Sequence, residues 1–281
     1  MRRSMAFGLV CAATMLSITA IGRADDPAPD KDDDLSAQRL ELMRKRIASV
    51  KVTSSEEGFP VEFAAKPIFR YTDPARGYVA AAVWKLGEQG RPRALVTTEL
   101  HRSFYGRPRI VYEHLSLTPT PFSATGGDIR WAPEGTVLEF KPVPDAQAPE
   151  ETAQRRLLQM RAIAKRFEGN EVVGKERCEL RLLPQPTDRY TPSSAERADG
   201  AIFLLTFGTN PEAALLIESD GTAWNYAAGR LTASSKLVLT IDGATAWEGP
   251  LHKYGLNQPY TASNAPADIP GIAPDGSEIK K

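Results

Sequence analysis

One ordered series of signals runs through this chain twice. It opens with Ala37-Gln38-Arg39-Leu40, Met43-Arg44 and Ile47, and again with Ala153-Gln154-Arg155-Arg156-Leu157, Met160-Arg161 and Ile163. Each opening is a helical pattern: Leu157, Met160, Ala164 and Phe167 recur at the three-to-four spacing of one helix face, leaving Arg155, Arg156, Lys165 and Arg166 for water. A Pro-x-x-Arg-Tyr segment follows in each half, ending in Arg70-Tyr71 and in Arg189-Tyr190. Three strands come next, over 79–85, 94–101 and 109–117 in the first half and over 201–207, 213–218 and 224–231 in the second. Gly87 answers to Gly208, Pro92 to Pro211 and Glu99 to Glu218. Such order argues for a tandem duplication, against chance similarity between two amphipathic segments.

Short, turn-rich gaps such as 87–92 and 208–211 suit hairpins rather than the long crossovers of parallel strands. The expected fold class is therefore α+β, two tandem related units, each a long helix followed by an antiparallel β-meander, with the helix laid across the sheet. The units span 35–141 and 151–250, joined by a Pro-rich linker at 142–150. An acidic stretch at 25–34 and a Pro-rich tail at 251–281 have the composition of disordered segments.

Residues 1–24 carry Arg2-Arg3, an apolar run from Ala6 to Ile21 and the small residues Gly22 and Ala24, the pattern of a secretory signal peptide cleaved after Ala24. That run is too short for a membrane span, so no membrane insertion is expected after cleavage and the protein is expected to be periplasmic or secreted. Cys11 leaves with the signal, and Cys178 alone remains, in an apolar alternation where a buried small hydrophobe is the expected role and a disulfide-linked dimer the alternative. Loss of Arg2, Arg3 and Arg23 takes 35 basic residues to 32 against 35 acidic ones. This mildly acidic, evenly spread charge offers no basic face for nucleic acid.

The second half also resembles a known group, through Ala162 to Phe167, the run 179–186 with Arg189-Tyr190, residues 199–203, Gly208-Thr209-Asn210-Pro211-Glu212 and Trp224-Asn225-Tyr226. Over roughly residues 155–250 it is similar to an uncharacterised family of exported proteins from planctomycete-type bacteria. That resemblance implies export and carries no activity, cofactor or catalytic residue. A helix packed on an antiparallel sheet is also similar in architecture to cystatin-like and NTF2-like folds, which says nothing of function.

No Gly-x-Ser-x-Gly elbow, His-Glu-x-x-His helix, Cys-x-x-Cys pair, Walker loop or dinucleotide fingerprint occurs. One hairpin offers chemistry. A turn centred on Tyr105-Gly106-Arg107-Pro108 sets Glu99 opposite His114 and His101 opposite Tyr112, on the polar face of the strands. Glu99, His101 and His114 would then form a zinc site with an open coordination position, or an acid–base pair. The alternative is a solvated face with ordinary polar pairs, because a slip of one residue dissolves the cluster. Arg70, Tyr71, Arg189 and Tyr190 form a second candidate, two arginine forks binding an anionic ligand where the units meet, against a structural role for each arginine. Trp84, Trp131, Trp224 and Trp247 offer ring faces for a sugar, or core packing.

The expectation is thus a non-catalytic exported protein of the cell envelope, binding another exported protein or a small ligand, or serving a structural role. A metal-dependent or acid–base hydrolase centred on Glu99, His101 and His114 is the alternative.

Overall fold

The computed structural model describes residues 31–192, 195–252 and 254–279, so the leader at 1–24 lies outside the described residues. In chain order the first half contains α1 (Lys31–Ala48), β1 (Lys51–Ser54), β2 (Phe69–Asp73), β3 (Tyr78–Leu86), β4 (Ala94–Phe104), β5 (Arg107–Ser116), β6 (Phe122–Gly126) and β7 (Ile129–Trp131). After β8 (Lys141–Pro142) come α2 (Ala153–Ala164), β9 (Phe167–Val173), β10 (Glu176–Leu182), β11 (Asp188–Tyr190), β12 (Ala198–Phe207), β13 (Asn210–Asp220) and β14 (Trp224–Arg230). The chain closes with β15 (Lys236–Ile241), β16 (Ala244–Gly249) and β17 (Tyr260–Pro266).

Six of these strands are the six the alternation predicts, yet the expected fold class is overturned. Strand outweighs helix by 48% to 12%, which makes the protein mostly β. The helices have 18 and 12 residues, and α2 is only some three turns long. The second sheet has nine strands in the order β16-β15-β9-β10-β12-β13-β14-β8, with β11 on the edge of β12, and it curls into a half-barrel. Two hairpins that the meander reading lacks, β9-β10 and β15-β16, account for the difference.

The tail is not a disordered appendage. β17 runs back to the first half and pairs with β5, making a five-stranded sheet in the order β17-β5-β4-β3-β2. The linker likewise begins inside β8, which pairs with β14, and Lys31 to Asp34 of the acidic stretch belong to α1.

Alternation along the strands builds three cores. Ala82, Trp84, Val96, Leu100, Ile110 and Tyr112 meet Met43 and Ile47 of α1 and the small sheet β1-β6-β7. Phe203, Leu205, Leu215, Ile217 and Tyr226 meet Met160, Ile163 and Ala164 of α2. Their strand neighbours Val83, Leu95, Leu115, Ile202, Leu204 and Leu216 point the other way and pack sheet against sheet. The order of layers is therefore helix, sheet, sheet, helix. Strands covered on both faces read as nearly unbroken apolar runs, as Ala201 to Leu205 and Ala213 to Ile217 do.

Two local devices fix the helices. Thr152 caps α2, its hydroxyl accepting from the Arg155 amide at 3.3 Å. Lys45 and Arg46 lie in the last turn of α1, where the helix dipole favours positive charge.

Candidate functional site

The hairpin chemistry expected from the sequence does not assemble. Tyr105 and Gly106, at φ 53° and 77°, make a two-residue turn that pairs Phe104 with Arg107, and a bulge between His101 and Phe104 shifts the register again. Glu99 consequently lies opposite Val111, His101 opposite Arg109, and His114 opposite Val96. Three positions of slip, an odd number, turn His114 to the other face. There it is 1% exposed, beside Trp131 at 5.2 Å, with Nε2 3.1 Å from the Ser263 hydroxyl. Burial drops its pKa to about 3, so it is neutral.

Glu99 and His101 remain together on the inter-sheet face, His101 Nε2 lying 3.1 Å from Glu99 Oε2. The His101 ring is packed between Tyr78 at 4.1 Å and Phe104 at 5.0 Å. Among the described residues no group of three His, Cys, Asp or Glu side chains is placed to hold a metal, so the zinc site proposed for Glu99, His101 and His114 is corrected.

The Arg-Tyr pairs do not make one site either. Alternation sends each arginine towards its own helix and each tyrosine between the sheets. Arg70 donates to the Ser36 hydroxyl at 3.1 Å. Arg189 donates to both Asp199 oxygens, at 2.9 and 2.6 Å, and to the Ala153 carbonyl at the start of α2. Tyr71 donates to Glu99 Oε1 and Tyr190 to Glu218 Oε1, each at 2.8 Å. The arginine forks therefore do not converge where the halves meet.

What does lie there was not legible in the sequence. Arg76, in a single 3-10 turn after β2, donates to Glu212 at 2.6 Å and to Glu171 at 3.3 Å, and its guanidinium stands 5.1 Å over the Phe207 ring. Arg91 forms a two-pronged bond to Glu218, at 2.6 and 2.5 Å, and Lys85 reaches Asp188 at 2.8 Å. Every one of these pairs joins one half to the other across 95 or more residues. Burial raises the Glu212 carboxyl to about 7 in spite of Arg76. Burial, then the charges of Glu99 and Glu212, push Glu113 well above the ordinary carboxylate range. These buried acids are held inside by protein partners.

The surface tells a different story beside the last two strands. A recess of about 300 Å³ is lined by Val137, Arg230, Trp247, Leu251, His252 and Tyr260, with the exposed Glu248. Trp84, Trp131 and Trp224 are fully buried, which leaves Trp247 as the partly exposed tryptophan. Arg230 is 5% exposed, and its guanidinium donates to the carbonyls of Thr232, Pro250 and Ser235 and lies 5.2 Å from the Tyr260 ring centre. His252 packs edge-on to Tyr254 and Tyr260, at 4.0 and 5.1 Å. Burial lowers its pKa, opposed by a hydrogen bond with the Ala233 backbone and helped by the charge of Arg230.

No protein-family model, curated protein or solved structure matches this chain. The site must speak for itself.

Cys178, expected as a buried small hydrophobe, is half-buried on β10 and carries a free thiol. No helix among the described residues is long and apolar enough to cross a membrane.

Proposed function

We propose that this is an exported, non-catalytic binding protein whose binding site is the aromatic recess beside Trp247 and His252. One observation carries the reading: Val137 and Leu251, exposed by 42% and 56%, line this recess, and Tyr254, exposed by 73%, packs against its His252 wall. Exposed large apolar side chains gathered around a concave site mark a place where something binds, whereas scattered ones need no explanation. The hydrolase alternative loses its support because Glu99 and His101 are only 4% and 6% exposed and are bonded to each other and to Tyr71.

The export half of the proposal rests on the leader pattern at 1–24 and on the resemblance of residues 155–250 to exported proteins. A tandem origin of the two halves is part of the same reading. It is supported by register: Tyr71 pairs with Ala81 and Ala81 with Glu99, while 119 positions on Tyr190 pairs with Gly200 and Gly200 with Glu218.

Native mass spectrometry of protein purified from the exported fraction, set against its denatured mass, tests the binding function. The expected result is an excess mass or a co-purifying partner that disappears in the Leu251→Asp variant. A bare mass, together with ester, glycoside or phosphate hydrolysis that His101→Ala abolishes, would overturn the proposal in favour of an enzyme.

A further inference from the structure

A buried cation without a carboxylate partner is costly, because stripping water from a charge is repaid only by close opposite charge and well-made hydrogen bonds. Every other arginine or lysine that bridges the two halves has that compensation: Arg76 has Glu212, Arg91 has Glu218 and Lys85 has Asp188. Arg230 does not. Among the described residues no carboxylate oxygen lies within 4.0 Å of it: its contacts are three neutral carbonyls and the Tyr260 side chain, and the charges of Glu113 and Glu212 reach it only from farther off. The carbonyls take three of the five N–H donors that a guanidinium carries. Glu248, a carboxylate lining the same recess, is exposed to water and makes no ion pair with Arg230.

The walls add a second requirement. Trp247, His252 and Tyr260 present aromatic surface, and Val137 and Leu251 present aliphatic surface. Both ring nitrogens of His252 are buried, so the imidazole offers the recess its ring surface rather than a bonding atom. About 300 Å³ is at the small end of the range for ligand sites, roughly 300 to 1,000 Å³, which limits the occupant to about one ring.

We propose that the recess binds a single-ring carboxylate, the carboxylate pairing with Arg230 and the ring lying against Trp247 and His252. The inference rests on the binding-protein reading and specifies its ligand. A planar carboxylate matches the guanidinium fork, forms charge-assisted bonds and supplies the contacting carboxylate that Arg230 lacks. The same chemistry belongs to an aromatic acid and to a uronic acid, whose ring also has an apolar face.

Wild-type protein discriminates between them without any substitution at Arg230. Binding of phenylacetate and of galacturonate is measured by calorimetry beside their uncharged counterparts, phenylacetamide and galactose. The indole N–H signal of Trp247, assigned with Trp247→Phe, reports the place of binding. The expected result is that one carboxylate binds at least about tenfold more tightly than its neutral counterpart and shifts the Trp247 signal. Preference for phenylacetate identifies an aromatic acid, and preference for galacturonate a uronic acid. Equal binding of acid and neutral counterpart at Trp247 would overturn the charge pairing and leave the binding reading standing. Failure of both acids to shift the Trp247 signal would overturn the ligand class, while the native mass measurement judges the binding function separately.

Discussion

Tyr71 Oη donates a 2.8 Å hydrogen bond to Glu99 Oε1 in the buried space between the two sheets, and Tyr190 makes the same bond to Glu218 on the other side. The equivalence ends at the second carboxylate oxygen. Glu218 also receives both prongs of Arg91, whereas the other oxygen of Glu99 has His101 at 3.1 Å.

Tyr71→Phe is therefore expected to cost more stability than Tyr190→Phe. Removing a hydrogen bond to a buried charged group costs about 1.5 to 3 kcal/mol, and a carboxylate that keeps a two-pronged arginine is the better protected. Urea unfolding of both variants checks the order. Equal or reversed losses would refute the difference drawn between the two halves.

Arg76 is the cation shared by Glu171 and Glu212, whose side chains are 2% and 0% exposed. Arg76→Met leaves both acids between the sheets without that cation, at an expected cost of order 3 kcal/mol. Adding Glu212→Gln to Arg76→Met should recover part of the loss, because a neutral amide needs no counter-charge. Thermal melts of wild type, single and double variants close the cycle, and strict additivity of the two single changes would show that the contact does not hold the halves together.

Three buried groups tilt stability with pH, two carboxyls in one direction and a histidine in the other. Glu212 titrates near 7 in the folded protein against an ordinary 4.5, so the folded state holds the extra proton between these values and loses stability as pH rises through that window, by of order 3 kcal/mol. Glu113, raised by burial, acts in the same direction. His114 titrates near 3 against an ordinary 6.5, so the unfolded state holds the extra proton and stability falls as pH drops from 6.5 towards 3. In urea midpoints taken from pH 4 to 8, Glu212→Gln should flatten the decline between 5 and 7, and His114→Gln should flatten the decline on the acid side. Parallel profiles in wild type and both variants would exclude these groups as the source.

Much of the local structure was legible in the sequence. Leu40, Met43 and Ile47 predict a helix because 3.6-residue periodicity is a property of one short segment, and α1 contains all three. The six predicted strands and the hairpin gaps at 87–92 and 208–211 follow from alternation and turn chemistry, which are equally local. The recurrence of Arg70-Tyr71 as Arg189-Tyr190 was likewise legible, whereas the register of β2 and β11 that they share came from the structure.

Which face of a strand meets what was not legible. Thr97, Glu99 and His101 alternate with Val96, Thr98 and Leu100, and polarity alone assigns the first set to water, yet the second sheet covers it. A bulge between His101 and Phe104 moved His114 to the other face, and a bulge leaves no reliable mark in a single strand. Arg76, Glu171 and Glu212 read as ordinary surface charges because they are far apart in the chain and meet when the halves dock. The recess depends on the same long-range closure, joining Arg230 at the end of β14 to Trp247 on β16 and Tyr260 on β17, which has crossed back to the first sheet. Periodicity belongs to neighbouring residues and survives in the linear text; register, burial of the second face and the pairing of distant charges arise from packing one half against the other.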